Sequence, residues 1–213
     1  MNMLSSEVIR QVDEAVKILK QGGVVAFPTD TVYGLGACFS EKEAVERIYR
    51  LKGRPQHMAL PLLLADIAQI NEVAHPVSPV AWRLAFNFLP GALSLVLPRS
   101  QAVPDFITAG GATVAVRVPA HPVPVALVRG LGAPVVGTSA NRSGEPSCLS
   151  AQEVYSQFGD SLDMVIDGGR SYGGYESTIV DLSGEIPVVL REAAISTANL
   201  RQKCHGIIFQ EGG

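Results

Sequence analysis

The stretch PVPVALVRGLGAPVVGTSAN, residues 122–141, decides the fold class because it reads as a helix followed directly by a strand. Residues 122–131 form the predicted helix and residues 134–137 the predicted strand. Residues 138–141 then place a hydroxyl and an amide just after this apolar run. Helices and strands alternate in the same way along the rest of the chain, and this interleaving predicts an α/β fold with a mixed sheet.

The other elements follow from apolar spacing and from interruption by glycine and proline. Helices are predicted over residues 8–19, 40–51, 78–89 and 150–158 and near Ala198, with capping boxes at Ser40/Glu43 and Ser150/Glu153. Strands are predicted over residues 24–27, 60–64, 93–97, 113–118, 164–167, 177–182, 188–191 and 207–209. Residues 29–34 are predicted to be a loop, and glycines bracket a mobile loop at 168–174. Because no repeat or clear linker occurs, residues 1–213 are predicted to form one domain.

The composition is typical of a compact globule, because 47% of the 213 residues are apolar and only 17% are charged. A net charge of −3 argues against a protein that coats nucleic acid, so any RNA contact requires a local patch. Three scattered cysteines are interpreted as reduced thiols. No apolar run approaches the roughly 20 residues that span a membrane, and residues 1–10 lack a signal-peptide pattern. We therefore expect a cytoplasmic protein without a membrane partner.

Two cations, Lys52 and Arg54, stand beside Pro55 at the end of a predicted helix. The helix dipole favours positive charge at that end. Arginine offers a planar fork of donors and lysine a compact charge. Ser139 and Asn141 add neutral donors and acceptors. Together these groups have the chemistry needed to hold a polyphosphate without a Walker loop.

Two further arginines, Arg117 and Arg191, lie within or at the end of predicted strands. Strand alternation places Thr113, Ala115 and Arg117 on one face. Each arginine either points outward from a half-exposed sheet or binds a carboxylate or phosphate on a concave face. The pattern alone leaves both interpretations open.

Several familiar active-site patterns fail in this sequence. Gly34-Leu35-Gly36 follows a strand, but Phe39 breaks the dinucleotide-binding pattern. Residues 137–141 depart from the nucleophile elbow at Asn141, and no histidine has an evident role as its partner. There is no P-loop motif, and no His/Cys cluster has metal-ligand spacing. We therefore expect no metal held by the protein's own side chains.

Ordered blocks between about residue 22 and residue 195 closely resemble the YrdC/Sua5-like threonylcarbamoyl-AMP synthase family. The blocks are residues 25–35, 49–55, 90–93, 114–119, 138–146, 174–181 and 190–192. The Lys-x-Arg at 52–54 and the Ser-x-Asn at 139–141 match the four-residue signature of that family. The resemblance implies an open twisted mixed sheet with flanking helices and a concave basic cavity, in the short, single-domain form.

The resemblance also implies an adenylyl transfer. L-Threonine and bicarbonate or CO₂ give N-carboxythreonine, whose carboxylate attacks the α-phosphate of ATP. Threonylcarbamoyl-AMP and pyrophosphate leave, and Mg²⁺ is expected to accompany the ATP. A downstream threonylcarbamoyl transferase complex would use the adenylate to modify adenosine 37 of certain tRNAs. At most a weak contact with tRNA itself is expected.

Roles for individual residues follow from the family pattern. The implied catalytic residues are Lys52, Arg54, Ser139 and Asn141. The implied threonine-binding residues are Thr31, Arg117, Gly137 and Ser177. The implied ATP-binding residues are Arg54, Met58, Thr113, Ser139, Ser147 and Arg191.

Three positions depart from the family pattern: Met58, Leu63 and, as a milder change, Ala92 in place of proline. Met58 stands where many relatives carry lysine or asparagine, and Leu63 where some carry histidine. Three alternatives stay open, and the third of them rests on these departures. One is an RNA-binding module of the same fold without adenylate-forming activity. Another is a carbamoyl-adenylate-forming relative, like the similar domain of hydrogenase-maturation proteins. The third is a paralogue that has lost activity.

Overall fold

The computed structural model describes residues 4–211, in which helices and strands alternate. Residues 1–3 of the N-terminal segment, and residues 212–213, lie outside the described part. The helices are α1 (Ser6–Lys20), α2 (Lys42–Lys52), α3 (Ile70–Val73), α4 (Pro79–Phe88), α5 (Asp105–Thr108), α6 (Pro122–Leu131), α7 (Ala151–Phe158) and α8 (Thr197–Lys203). The strands are β1 (Val25–Phe27), β2 (Gly34–Cys38), β3 (Leu62–Leu63), β4 (Leu93–Pro98), β5 (Thr113–Arg117), β6 (Val135–Ser139), β7 (Met164–Val165), β8 (Thr178–Asp181), β9 (Val188–Arg191) and β10 (Gln210–Glu211). None of the helices described within this range is long and apolar enough to cross a membrane.

Side-chain caps explain where two of the helices begin. The Ser78 hydroxyl accepts from the Ala81 amide at the start of α4, and the Ser150 hydroxyl accepts from the Glu153 amide at the start of α7. Both starts confirm the sequence prediction. The capping box predicted at Ser40 was wrong, because α2 starts at Lys42 after an N-cap, Glu41, that makes no side-chain capping bond. The Ser40 hydroxyl lies 3.2 Å from the Cys38 sulfur instead.

The strands described within residues 4–211 form one mixed sheet in the order β10-β9-β8-β4-β5-β3-β6-β2-β1-β7. The pairs β1–β7, β3–β5, β4–β8 and β9–β10 are parallel and the others antiparallel. The predicted α/β class and mixed sheet are confirmed. One inner strand escaped the sequence analysis: β2 begins at Gly34, the last residue of the predicted loop, and pairs with β1 and β6.

The two faces of the sheet are covered differently. On one face, α1 and α6 pack with Phe27 and Val135 into a compact apolar cluster. The opposite face receives Ala26 and Val136, as strand alternation requires, and joins a larger cluster that includes residues of α2, α4, α7 and α8. On the first face, beyond Leu63, the side chains of β4, β5 and β8 line an open cavity. Helix coverage on that face therefore leaves room for a site.

Candidate active site

The cavity has a volume of about 550 Å³ and collects residues from distant parts of the chain. Its lining comes from the end of α2 with the following loop, from strands β2, β3, β4, β5, β6, β8 and β9, and from the loops before β2, after β6 and before β8. The described lining residues include four cations and one carboxylate: Lys52, Arg54, Arg117, Arg191 and Glu176. Although the whole chain carries a net charge of −3, this hollow is therefore positive.

Lys52 is held in place by neutral oxygen atoms alone. Its ammonium donates to the Ser139 carbonyl, to the Asn141 carbonyl at 2.8 Å and to the Asn141 side-chain oxygen at 3.2 Å. The Ser139 hydroxyl donates to that same Asn141 oxygen at 2.6 Å. Burial, reinforced by nearby Arg54, lowers the pKa of Lys52 to about 8. The charge is thus fixed in position, solvated by protein dipoles and not neutralised by a contacting carboxylate among the described residues.

Arg54 follows the left-handed glycine that ends α2. Gly53 has a φ of 62°, and the Arg54 amide turns back to donate to the Tyr49 carbonyl at 3.0 Å. The guanidinium donates to the carbonyls of Met58, at 3.4 Å, and Ala59, at 3.1 Å. Because these partners are neutral, Arg54 adds a second uncompensated charge beside Lys52.

Arg117 stands in a different environment, because a carboxylate pairs with it. The guanidinium lies 2.6 Å from an Asp30 carboxylate oxygen and donates to the Thr31 hydroxyl and the Gly91 carbonyl, both at 2.9 Å. Burial lowers the pKa of Arg117, and the Asp30 charge partly offsets that effect. Arg117 is only 7% exposed, which settles the earlier question: it points into the protein and the cavity, not into solvent.

Arg191 and Ser177 form a third cluster. Two guanidinium nitrogens of Arg191 donate to the Ser177 carbonyl, at 3.1 and 2.8 Å, and a third donates to Glu176. The hydroxyls of Ser177 and Ser94 share a hydrogen bond at 2.9 Å. The Ser147 hydroxyl donates to the other Glu176 oxygen at 3.2 Å. Glu176 thereby joins the loop after β6 to strand β9.

Gly137 is required by close packing against Leu63. A Cβ atom at Gly137 would lie 2.5 Å from two carbons of the Leu63 side chain. The Gly137 amide donates to the Pro61 carbonyl at 2.9 Å. The Leu63 side chain thus covers the backbone of Gly137, and both residues line the cavity.

The glycine-bracketed loop at residues 168–174 is tied to the segment that carries Thr31. The Tyr33 hydroxyl donates to the Gly169 carbonyl at 2.7 Å, and the Gly174 amide donates to the Thr31 carbonyl at 3.1 Å. A Cβ at Gly173 would lie 2.4 Å from the Asp30 carbonyl oxygen, so only glycine permits this approach. The loop therefore packs against the segment that places Thr31 at the cavity and holds that segment in position.

The structure brings ten of the twelve residues singled out from the sequence to this cavity. They are Thr31, Lys52, Arg54, Met58, Arg117, Gly137, Ser139, Asn141, Ser177 and Arg191. Ser147 reaches it through Glu176, whereas Thr113 begins β5 opposite Pro98 and is not among the lining residues. The roles assigned to all twelve stay predictions.

Sequence reasoning missed the two carboxylates and one hydroxyl of the site. Asp30 and Glu176 directly precede Thr31 and Ser177, so their neighbours were the only signal. Their arginine partners lie 87 and 15 residues away along the chain. Ser94 sits within an apolar strand and carried no signal of its own.

Comparison with known proteins agrees with the observed fold. The family model for Sua5/YciO/YrdC proteins, described as "Telomere recombination", matches residues 17–193. The chain belongs to this family. It therefore shares the family's fold, and the cavity described above contains the Lys-x-Arg and Ser-x-Asn residues.

Two curated relatives of this Sua5/YciO/YrdC chain carry the same activity name. This chain is 42% identical over 187 residues to threonylcarbamoyl-AMP synthase of Bacillus subtilis, and the match covers 87% of this chain and 54% of that protein. It is 43% identical over 181 residues to the Pyrococcus abyssi protein of the same name, covering 85% and 53%. The chain thus spans about half the length of these curated relatives.

A solved structure of P. abyssi Sua5 complexed with L-threonine superposes on the fold. The TM-score is 0.89 at 40% identity, over 93% of this chain and 58% of that one. The fold that surrounds the cavity is thus shared with a protein that binds L-threonine.

Proposed function

We propose that this protein is an L-threonylcarbamoyladenylate synthase, a nucleotidyltransferase that forms threonylcarbamoyl-AMP and pyrophosphate from L-threonine, bicarbonate or CO₂, and ATP. One observation carries the proposal. The Lys52 ammonium, buried among neutral oxygens of Ser139 and Asn141, shares one cavity with Arg54 and Arg117. The names of the relatives support the same reaction.

The reaction balances without a covalent enzyme intermediate. The neutral threonine amine takes up CO₂ with release of a proton, or bicarbonate with loss of water, and either route gives the N-carboxylate. A carboxylate oxygen forms a bond to the α-phosphorus of ATP. The bond from that phosphorus to the bridging oxygen breaks, and pyrophosphate leaves with the electron pair.

Two anions must approach each other in this step, so the protein's contribution is fixed positive charge. We assign that task to Lys52 and Arg54, which make no ion pair with a described residue. Preorganised donors of this kind need no reorientation as charge moves to the leaving oxygen. Ser139 and Asn141 fix the lysine and supply polar contacts of their own.

Threonine recognition is assigned to the Arg117 region. The Arg117 guanidinium keeps donors beyond its three bonds, and a planar fork suits the amino-acid carboxylate. The cavity that Arg117 lines is also lined by Thr31, Ser177 and Gly137. We assign the two hydroxyls and the Gly137 backbone to threonine binding. The Leu63 side chain provides apolar surface for the substrate methyl group.

Nucleotide binding is assigned to Arg54, Met58, Ser139, Ser147 and Arg191, with Thr113 as a more distant contact. Mg²⁺ enters with ATP as part of the substrate. Within residues 4–211 no group of three or more His, Cys, Asp or Glu side chains could hold a metal ion. Oxygen atoms of ATP phosphates and water are ligands that Mg²⁺ prefers, so the nucleotide can supply its coordination.

The product would pass to a separate transferase complex that modifies adenosine 37 of tRNA. We also place the protein in the cytoplasm. The three cysteines within the described residues are buried and free, as in proteins of reducing compartments.

The test is a substrate-omission assay. Purified protein is mixed with ATP, Mg²⁺, L-threonine and bicarbonate, and pyrophosphate and the adenylate are measured by phosphate detection and mass spectrometry. Equal amounts of both products are expected, and none when threonine or bicarbonate is left out. Pyrophosphate release that persists without threonine would indicate a general ATPase and reject the proposal.

Substitution of L-serine for L-threonine probes the amino-acid pocket. Loss of one buried methyl group should cost about 1–3 kcal/mol of transition-state binding, so kcat/KM should fall roughly 10- to 200-fold. Equal kcat/KM for the two amino acids would exclude recognition of the methyl group by the cavity wall.

A further inference from the structure

Glu176 bridges two side chains that the family pattern places at the nucleotide. One carboxylate oxygen accepts from Arg191, and the other accepts from the Ser147 hydroxyl at 3.2 Å. Arg191 belongs to β9, whereas Ser147 lies in the loop between β6 and α7. A single side chain therefore sets the separation between two donors from distant parts of the chain.

The charge of Glu176 is unexpected at this place. Among the described lining residues it is the only carboxylate, in a cavity whose proposed ligand carries phosphates. A negative charge facing a polyphosphate opposes binding through Coulomb repulsion. A carboxylate retained there needs a compensating role, and its two hydrogen bonds supply one.

Arg191 is fixed at two ends. Two of its nitrogens donate to the Ser177 carbonyl, at 3.1 and 2.8 Å, and Glu176 accepts from the remaining nitrogen. With the Ser177 bonds alone, the guanidinium plane could pivot about that carbonyl. The Ser147 hydroxyl would likewise rotate without its acceptor. Glu176 thus determines where both donors point.

We propose that Glu176 is a positioning residue for nucleotide binding, which acts by holding Arg191 and Ser147 at the places where they meet ATP. This inference deepens the proposed function and rests on it. The role depends on the reach of the side chain and on its two hydrogen bonds, and not on its negative charge.

Two conservative variants separate reach from charge. Glu176→Gln keeps the length: its amide oxygen still accepts from Arg191, and its amide nitrogen donates to the Ser147 oxygen. Glu176→Asp keeps the charge but is one methylene shorter, so it cannot reach both donors. Glu185→Gln, at an exposed position outside the cavity, is the matched control.

The measurements are the dissociation constant for Mg-ATP by calorimetry and the KM values for ATP and threonine. Loss of a hydrogen bond to a charged group should weaken ATP binding by roughly 10-fold in Glu176→Asp. Glu176→Gln should bind ATP within a few-fold of the unmodified protein. The KM for threonine should stay unchanged in both, a separation that general damage to the fold would not produce.

The opposite ranking overturns the proposal. If Glu176 acts only through its charge, Glu176→Gln binds ATP more tightly and Glu176→Asp binds it normally. The calorimetric arm uses ATP without threonine or bicarbonate. Normal adenylate formation with equal ATP affinities in all variants would remove the positioning role and leave the synthase intact. If Glu176→Asp binds ATP more weakly but the unmodified protein makes no adenylate, the positioning role stands and the synthase proposal fails.

Discussion

The surroundings of Lys52 and of Arg117 differ in how each positive charge is treated. Lys52 and nearby Arg54 are hydrogen-bonded to carbonyl and amide oxygens, and no described carboxylate forms an ion pair with either. Arg117 lies against Asp30, which cancels most of its net charge and leaves directional donors. The first region therefore suits phosphates, which need charge neutralisation, and the second suits an amino acid, whose own charges balance. The contrast matches the proposed function, in which one cavity would hold an anionic nucleotide and a zwitterionic amino acid side by side.

The largest expected effect comes from removing the uncompensated charges. Lys52→Ala and Arg54→Ala should each lower turnover by about 10²–10³, the usual cost of losing one preorganised donor. Circular dichroism should show that the fold survives, and Lys20→Ala on the exposed side of α1 is the matched control. Pyrophosphate release near the normal rate by both variants would refute the assignment.

The pH dependence of kcat/KM for ATP should follow the protonation state of Lys52. Burial lowers the pKa of Lys52 to about 8, so the charged form, present below that pH, is lost as pH rises through it. We expect kcat/KM for ATP to fall above pH 8, approaching tenfold per pH unit. Bound phosphates favour the charged lysine, so kcat should fall only at higher pH. Lys52→Arg should abolish this limb, and a profile that stays flat across pH 8 would contradict the account.

Arg117→Lys tests the directional half of the comparison. One ammonium cannot replace a planar fork that serves Asp30, Thr31 and Gly91 at once. The KM for threonine should rise roughly 10-fold, corresponding to about one charged hydrogen bond, while the KM for ATP stays constant. Arg129→Lys, on the exposed surface of α6, is the control. An equal rise in both KM values would show that the two regions are not separate.

A smaller effect is expected where shape matters and charge does not. Gly137→Ala places a methyl group 2.5 Å from Leu63 carbons, so the free energy of unfolding should fall by about 1–3 kcal/mol. Leu63→Ala removes those carbons. The double variant should be less destabilised than the sum of the single ones in urea unfolding. If the losses in the free energy of unfolding simply add, the new methyl group at residue 137 does not clash with the Leu63 side chain.

The residues around Lys52 were more predictable than those around Arg117, for a physical reason. Lys52 ends a helix whose apolar stripe and glycine stop are local features, and Arg54 follows that helix. Ser139 ends a strand of mostly apolar residues, and Asn141 follows that strand. Asp30 pairs with Arg117 across 87 residues, and no local pattern encodes such a contact. Strand β2 was missed because Gly34 and Gly36 are typical of loops, whereas here they let the Phe27 ring pack against the backbone.

The central claim is most directly tested by a crossed binding measurement. Mg-ATP and L-threonine are titrated separately into the unmodified protein, Lys52→Ala and Arg117→Lys, and the affinities are compared by calorimetry. We predict that Lys52→Ala weakens ATP binding and leaves threonine binding intact, and that Arg117→Lys does the reverse. Parallel losses of both ligands in both variants would contradict the division of the cavity into a charged phosphate region and an ion-paired amino-acid region.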